Sequence, residues 1–491
     1  MKRIISLILA VSLTISLAGC ANKDKTDGNN ASDSKTETEK EEHSSKPADI
    51  PDSKTETEKA EDSSKPETMV ISSVVYPEVA LYPDEANYVN DDGRIDDTFY
   101  DAHDAWWEDV RERRMLMEDY SGELDTYFSA SIRQYLADSQ GKNKVFSPLN
   151  VYMALGMLSE ITDGESRSQV LALLGEDNVE DLREQVDMIW NANYRNDGVN
   201  TNVLASSIWL NEDISFIQST MDSLARNYFA ASYQGVMGSD ELNKALQSWL
   251  NEQTGGLLEE QASDVKLDDN TIMALAATIN FHAKWSNEFI EENTTEGVFH
   301  GSNGNLNCDF MHQSYARSYY WGDKFSAVSQ NLENDSAMWL ILPDEGVYVD
   351  ELIEDEQTME FILSGGHEWQ DSMYLVVNLA VPKFDVSSDM DLIPGLKALG
   401  VTDVFDPAIS DFTPMTTDVG EICLSQAKHA VRVKIDEEGC TAAAYTVMPV
   451  VGAAMPPAEE VDFVLDRPFI FAITGSGDLP LFVGIVNQPI E

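Results

Sequence analysis

Near the C-terminus the chain reads DEEGCTAAAYTVMPVVGAAMPPAEE, from Asp436 to Glu460, with no charged residue between Gly439 and Pro457. Small and β-branched side chains in an uncharged run ordinarily mean a buried strand. Such strands are typically five or six residues long and avoid proline, whereas this run is far longer and holds Pro449, Pro456 and Pro457. It reads as an exposed segment competent to become a strand. Elsewhere the chain has no CxxC, HExxH or GxSxG, no glycine loop to cradle a phosphate, and seven scattered histidines. Metal, nucleotide and nucleophile–base chemistry therefore have no local signature, and neither a metal nor a cofactor is expected.

The bulk numbers narrow the partners. A net charge of −55 repels nucleic acid and anionic membrane surfaces. With 491 residues, 43% hydrophobic and 9% aromatic, the chain can bury one large core or two modest ones. The start, MKRIISLILAVSLTISLAGC, has Lys2 and Arg3, an apolar run too short to span a bilayer, and small residues ahead of Cys20. That is a secretory signal, and it resembles the bacterial lipobox, which implies cleavage before Cys20 and acylation there. Residues 1–19 are then a lipoprotein signal peptide, and the product is extracellular, tied to the bacterial cell membrane through its lipid alone. Cys308, Cys423 and Cys440 remain, an odd number, so no disulfide framework supports the fold.

The elements that must position the uncharged run can be placed along the chain. Residues 20–70 carry a repeat of period 19, SKTETEKEEHSSKP returning as SKTETEKAEDSSKP, and read as a disordered tether. Residues 71–121 are acidic with aromatics, helical by periodicity in the second half. The body is 122–491. Helical patterns at ELDTYFSASIRQYLADS, LNVYMALGMLSEI and DELNKALQSWLNEQT give way to β-rich runs at SAMWLILP, MYLVVNLAVPKFDV, AVRVKI, FIFAIT and LFVGIV. Helices early and strands late point to an α+β fold.

Several segments, in one order, resemble the serpin family. NKVFSPLNVYMALGML (143–158) is similar to its helix B start, FHAKWSNEF (281–289) to its breach tryptophan segment with Trp285, and VPKFDV with LKALGVTDVF to the sheet A edge and following helix. FVLDRPFIF (463–471), followed by LFVGIVNQP, resembles the C-terminal signature. The resemblance covers roughly 122–491. It implies the serpin fold, helices packed on three β-sheets with an exposed reactive-centre loop, and a monomer that is an inhibitor rather than an enzyme. A serine protease would acylate at the bait bond, and the cut loop would then enter sheet A as a new strand, distorting the trapped protease.

The same resemblance assigns residues. Glu437, Glu438, Gly439, Cys440, Thr441, Ala442, Ala443 and Ala444 match the hinge, and family spacing puts the bait bond at Ala453–Ala454. On insertion Cys440, Ala442, Ala444, Thr446 and Met448 would point inward, and Thr441, Ala443, Tyr445 and Val447 outward. Pro449 removes one ladder hydrogen bond, a loss of about 0.5–1.5 kcal/mol. No Lys or Arg lies in the loop, so trypsin-like proteases find no anchor; small residues suit elastase-type enzymes first and subtilisin-like ones second. The shutter would comprise Ser147, Asn150 and His429, with Ala277 where the family has Asn and Asn150 where it has Ser, so the carboxamide is expected to rejoin His429 from the helix. The breach would pair Glu437 with Lys383 beside Trp285. Two rivals remain open: a non-inhibitory serpin that is cut as a substrate, and a surface-anchored binding lipoprotein using Asp84 to Asp119.

Overall fold

The computed structural model describes residues 9–18, 68–90, 93–118, 120, 122–333, 336–367, 369–440, 457 and 459–490, with the backbone alone at 9–18, 85–86 and 440. The bait bond at Ala453–Ala454, hinge residues Thr441 to Ala444 and the lipidation site Cys20 lie outside the described residues.

The strands form two nine-stranded sheets. In the first, the strands run in the order Asp385–Asp391, Leu424–Lys434, Leu9–Ala18, Thr271–Lys284, Thr201–Asn211, Ala230–Gly235 and Met69–Ser72; Arg195–Asn196 adds to Thr201–Asn211, and Gly439–Cys440 to Thr271–Lys284. In the second, the order is Glu460–Val464, Ser372–Pro382, Gly304–Trp321, Phe325–Asn331, Ala337–Pro343, Phe469–Thr474, Pro480–Val486 and Lys144–Phe146, with Thr295–Gly301 on Gly304–Trp321. Two of the three sheets the resemblance implies are thus one continuous path, because Ser326 and Ala327 pair with Trp321 and Tyr320 across the join.

The three helical patterns become helices Asp125–Leu136, Pro148–Ile161 and Asp240–Gln253. Pro148–Ile161 starts where Ser147 caps it, its side chain accepting from the Asn150 N–H, with proline in the first turn where a missing N–H is harmless. Every residue of this helix is buried, as an all-round apolar helix must be, and it packs on strands of both sheets. The runs SAMWLILP, FIFAIT and LFVGIV lie in the wholly or almost wholly buried strands Ala337–Pro343, Phe469–Thr474 and Pro480–Val486.

Residues 68–121 belong to the same compact unit as the body. The unit begins before the tether boundary drawn from composition: Met69–Ser72 pairs with Ala230–Gly235 at the sheet's outer edge. Asp97–Met115 is the helix foreseen in the acidic segment, capped by Asp96, whose carboxylate accepts from the Thr98 N–H at 2.9 Å.

Candidate functional site

The hinge leaves strand Leu424–Lys434 and immediately meets the end of Thr271–Lys284. Gly439 pairs with Lys284 and Cys440 with Ala283, antiparallel. Gly439 has φ +151°, and a Cβ there would stand 2.5 Å from the Ala283 carbonyl and 2.7 Å from Lys284 Cα. Only glycine fits so close an approach.

Backbone and side chains together clamp this corner. The Trp285 N–H donates to the Glu438 carbonyl at 3.1 Å and the Phe289 N–H to the Glu437 carbonyl at 2.9 Å. The Trp285 indole, itself buried, donates to the Asp436 carbonyl at 2.9 Å. Glu437 Oε1 lies 2.6 Å from Lys383 Nζ and accepts from Thr294 Oγ1 at 2.7 Å. Burial works to raise the Glu437 pKa, but the bonds from Lys383 and Thr294 outweigh it and hold the carboxyl below its ordinary range. The breach residues implied by the resemblance therefore meet. The surrounding carboxyls behave oppositely: burial pushes Asp436, Glu288, Glu333 and Glu438 upward, partly relieved by Lys284 for the last three.

Strands Thr271–Lys284 and Leu424–Lys434 are parallel neighbours separated by one strand's width. The backbone of Leu9–Ala18, from the segment read as a leader, occupies that place antiparallel to both, with Leu13 opposite Ala277 on one side and His429 on the other. The sheet thus accommodates a ten-residue strand there.

The shutter lies at the level of that pairing. Ser147 Oγ donates to the Leu481 carbonyl at 2.6 Å, and the Ser147 N–H donates to His429 Nε2 at 3.1 Å. His429 is fully buried, edge-on to Phe146 at 5.3 Å. An accepting Nε2 puts the ring proton on Nδ1, which has no hydrogen-bond partner among the described residues. Burial pushes the imidazole down to about 3. Asn150 does not rejoin His429 as expected: its Nδ2 donates to the Ala277 carbonyl at 3.4 Å. The carboxamide has changed partner as well as element: His429 Nε2 already accepts from the Ser147 N–H, so the Asn150 Nδ2 donor finds its acceptor in the strand backbone.

Cys308 and Cys423 are buried, and neither is in a disulfide among the described residues. Among the described residues no group of three or more His, Cys, Asp or Glu could hold a metal ion. Sequence reasoning missed the pairing of Arg195 and Asp197 with the acidic segment, since Asp109, Trp106 and these partners are 86 and 91 residues apart and no local pattern joins them.

Comparison with known proteins bears on this arrangement. A family profile described as "Serpin (serine protease inhibitor)" matches residues 123–489. The chain is similar to the leukocyte elastase inhibitor of Sus scrofa, 28% identical over 74% of this chain and 98% of that one. It is also similar to Serpin-ZX of Arabidopsis thaliana, 27% identical over 78% and 100%. Among solved structures, the thermophilic serpin tengpin in its native state matches with a TM-score of 0.65 at 26% identity, over 75% of this chain and 95% of that one.

Proposed function

The chain belongs to the serpin family, and from that premise we propose that it is an extracellular, lipid-anchored inhibitor that traps elastase-like serine proteases as covalent acyl complexes, using no cofactor. The observation that carries the reading is the hinge: Gly439 and Cys440 already add to the end of strand Thr271–Lys284, beside a place that takes a full antiparallel strand. Continuing that register sets Ala442 opposite Phe281 and Ala444 opposite Ile279. Both partners are wholly buried, and directly opposed residues share a face. The small residues of the loop therefore fall where small residues are needed.

In the proposed reaction the protease serine attacks the Ala453 carbonyl, the peptide bond to Ala454 breaks, and the new amine leaves with the C-terminal portion. Residues 440–449 then enter the sheet before water reaches the ester. The leader backbone occupies the same place, so the trapping form begins at Cys20.

The decisive experiment mixes the soluble protein, residues 21–491, with elastase and resolves the products on a denaturing gel. A stable covalent band is expected. Cleavage without a band supports the substrate-like rival, and no reaction at all sinks the loop assignment. Ala453→Arg should move trapping toward trypsin-like enzymes; a variant that still prefers elastase by a wide margin means the bait bond is elsewhere.

A further inference from the structure

We propose that residues 69–120, which precede the matched family region, are a brace tying the opening half of the first sheet to the body and thereby setting how readily the sheet admits the loop. The proposal rests on the insertion reading above. Its evidence is the set of contacts made by a segment that no catalytic or inhibitory step requires.

One end of the brace holds the strands that must move. Met69 and Val70 pair with Gln234 and Tyr233, extending the sheet at its edge. The Tyr82 N–H donates to the Asp197 carbonyl at 3.0 Å. Trp106, only 3% exposed, donates through Nε1 to Asp197 Oδ2 at 2.9 Å, and the Tyr82 ring meets the indole edge-on at 5.0 Å. Asp109 Oδ2 accepts from Arg195 at 3.0 Å, Arg195 being 5% exposed. Arg195 and Asp197 begin the hairpin leading into Thr201–Asn211, whose first residue pairs with His282 beside the breach.

The other end holds parts that belong to the body. Arg113 donates to the Asn191 carbonyl at 3.3 Å, on helix Val179–Asn193. The end of that helix is fastened to the turn before Pro480–Val486: Ser476 N–H donates to Asn193 Oδ1 at 3.1 Å and Ser476 Oγ to the Ala192 carbonyl at 2.9 Å. Tyr76 stacks on Trp190 of the same helix at 5.6 Å. Met117 is buried against Gly477, and the Leu124 N–H donates to Tyr120 Oη at 3.2 Å.

Opening the sheet between Thr271–Lys284 and Leu424–Lys434 requires the strands on the Thr271–Lys284 side to shift together, since Thr201–Asn211 and Ala230–Gly235 are laddered to it. The hairpin headed by Arg195 moves with them, whereas Gly477, against which Met117 packs, sits in the turn before Pro480–Val486 of the second sheet; helix Val179–Asn193 bonds to both, through Trp190 Nε1 to the Leu204 carbonyl at 2.9 Å and through Asn193 Oδ1 to the Ser476 N–H. A segment bonded to both must yield. Its bond from Trp106 to Asp197 is buried and the one it accepts from Arg195 is part-buried, where a hydrogen bond is strong and an orphaned group is penalised.

The test uses the 21–491 chain with Trp106→Phe, which deletes the indole donor while keeping an aromatic ring, and Asp109→Asn, which removes the charge facing Arg195. Each intact variant is held at a fixed temperature below its melt, and loss of trapping capacity is followed beside wild type. Spontaneous insertion should quicken about tenfold in each variant; rates equal to wild type overturn the brace. Should a variant fail to fold, hydrogen exchange on the unaltered chain answers instead. After loop cleavage, amides of Asp97–Met115 and of residues 195–200 should exchange at least tenfold faster, and unchanged protection refutes the proposal. If cleavage of wild type produces no rise in thermal stability, the insertion reading fails, whatever the variants do.

Discussion

Placing a charge at position 444 separates insertion from every other account of the loop. Register continued from Gly439↔Lys284 and Cys440↔Ala283 puts residue 444 opposite Ile279, wholly buried, and residue 443 opposite Asn280, which is partly exposed. A glutamate at 444 must enter the body of the protein, either ionised and unpaired or protonated at the expense of its solvation, at a cost of several kcal/mol. A glutamate at 443 faces outward and keeps most of its water. If about 3–4 kcal/mol of the cost is already felt when residue 444 crosses into the sheet, insertion slows by roughly a hundred- to a thousandfold, each 1.4 kcal/mol being a factor of ten. Deacylation, which is chemistry on the protease, keeps its own rate and wins. The assay is the number of inhibitor molecules consumed per elastase inactivated, read beside the covalent band. For Ala444→Glu the number should rise steeply and the band vanish into cleaved product, while Ala443→Glu should trap nearly as well as wild type. Equal behaviour of the two variants, whether both good or both poor, would refute the register and with it the argument from the opposed residues.

Melting the intact and nicked 21–491 chains side by side should show a large upward shift on cleavage, because about ten residues gain ladder bonds at a net 0.5–1.5 kcal/mol each, on the order of 10 kcal/mol before entropy is subtracted; equal melting temperatures would leave a shell without a spring. His429 predicts acid sensitivity. Its folded pKa is depressed to about 3, so above the unfolded value near 6.5 it contributes nothing to the pH dependence, and as pH falls from 6.5 toward 3 the unfolded chain takes a proton that the fold refuses, a loss of about 1.4 kcal/mol per pH unit. Between pH 7 and pH 5, denaturant unfolding should show wild type losing about 2 kcal/mol more stability than His429→Gln, while His282, depressed by burial to about 4, loses stability in both. The comparison of the two chains is needed because the raised carboxyls Asp436, Glu288, Glu333 and Glu438 add stability over the same fall in pH. Asn150→Ser should destabilise the fold by about 1 kcal/mol through its lost bond to the Ala277 carbonyl, and Ala277→Asn should recover part of that by offering His429 Nδ1 an acceptor; a double-mutant cycle without coupling would show the two positions to be independent.

The sequence by itself determined the elements with strong local character. Ser147 and Pro148 ahead of an apolar run specify where a buried helix starts, the apolar runs near the C-terminus specify buried strands, and the glycine of EEG stands where the approach to Ala283 admits no side chain. One central strand was illegible. TIMALAATINFHAK is rich in alanine and apolar on both faces, a pattern that suits a buried helix as well as a strand, and only its ladders to Thr201–Asn211 and Leu9–Ala18 decide the matter. The same holds for Asn150, whose type was legible but whose partner depended on which acceptors the packing left open, His429 Nε2 being taken by the Ser147 N–H. It holds most for the acidic segment. Composition and periodicity showed residues 71–121 to be acidic with aromatics and helical in the second half but gave no partner for them, yet Trp106 is buried and Asp109 half-buried against residues 91 and 86 positions away. Local periodicity reports which way a side chain points within its own element; which surface waits there is set by packing between elements, and that is written only in three dimensions.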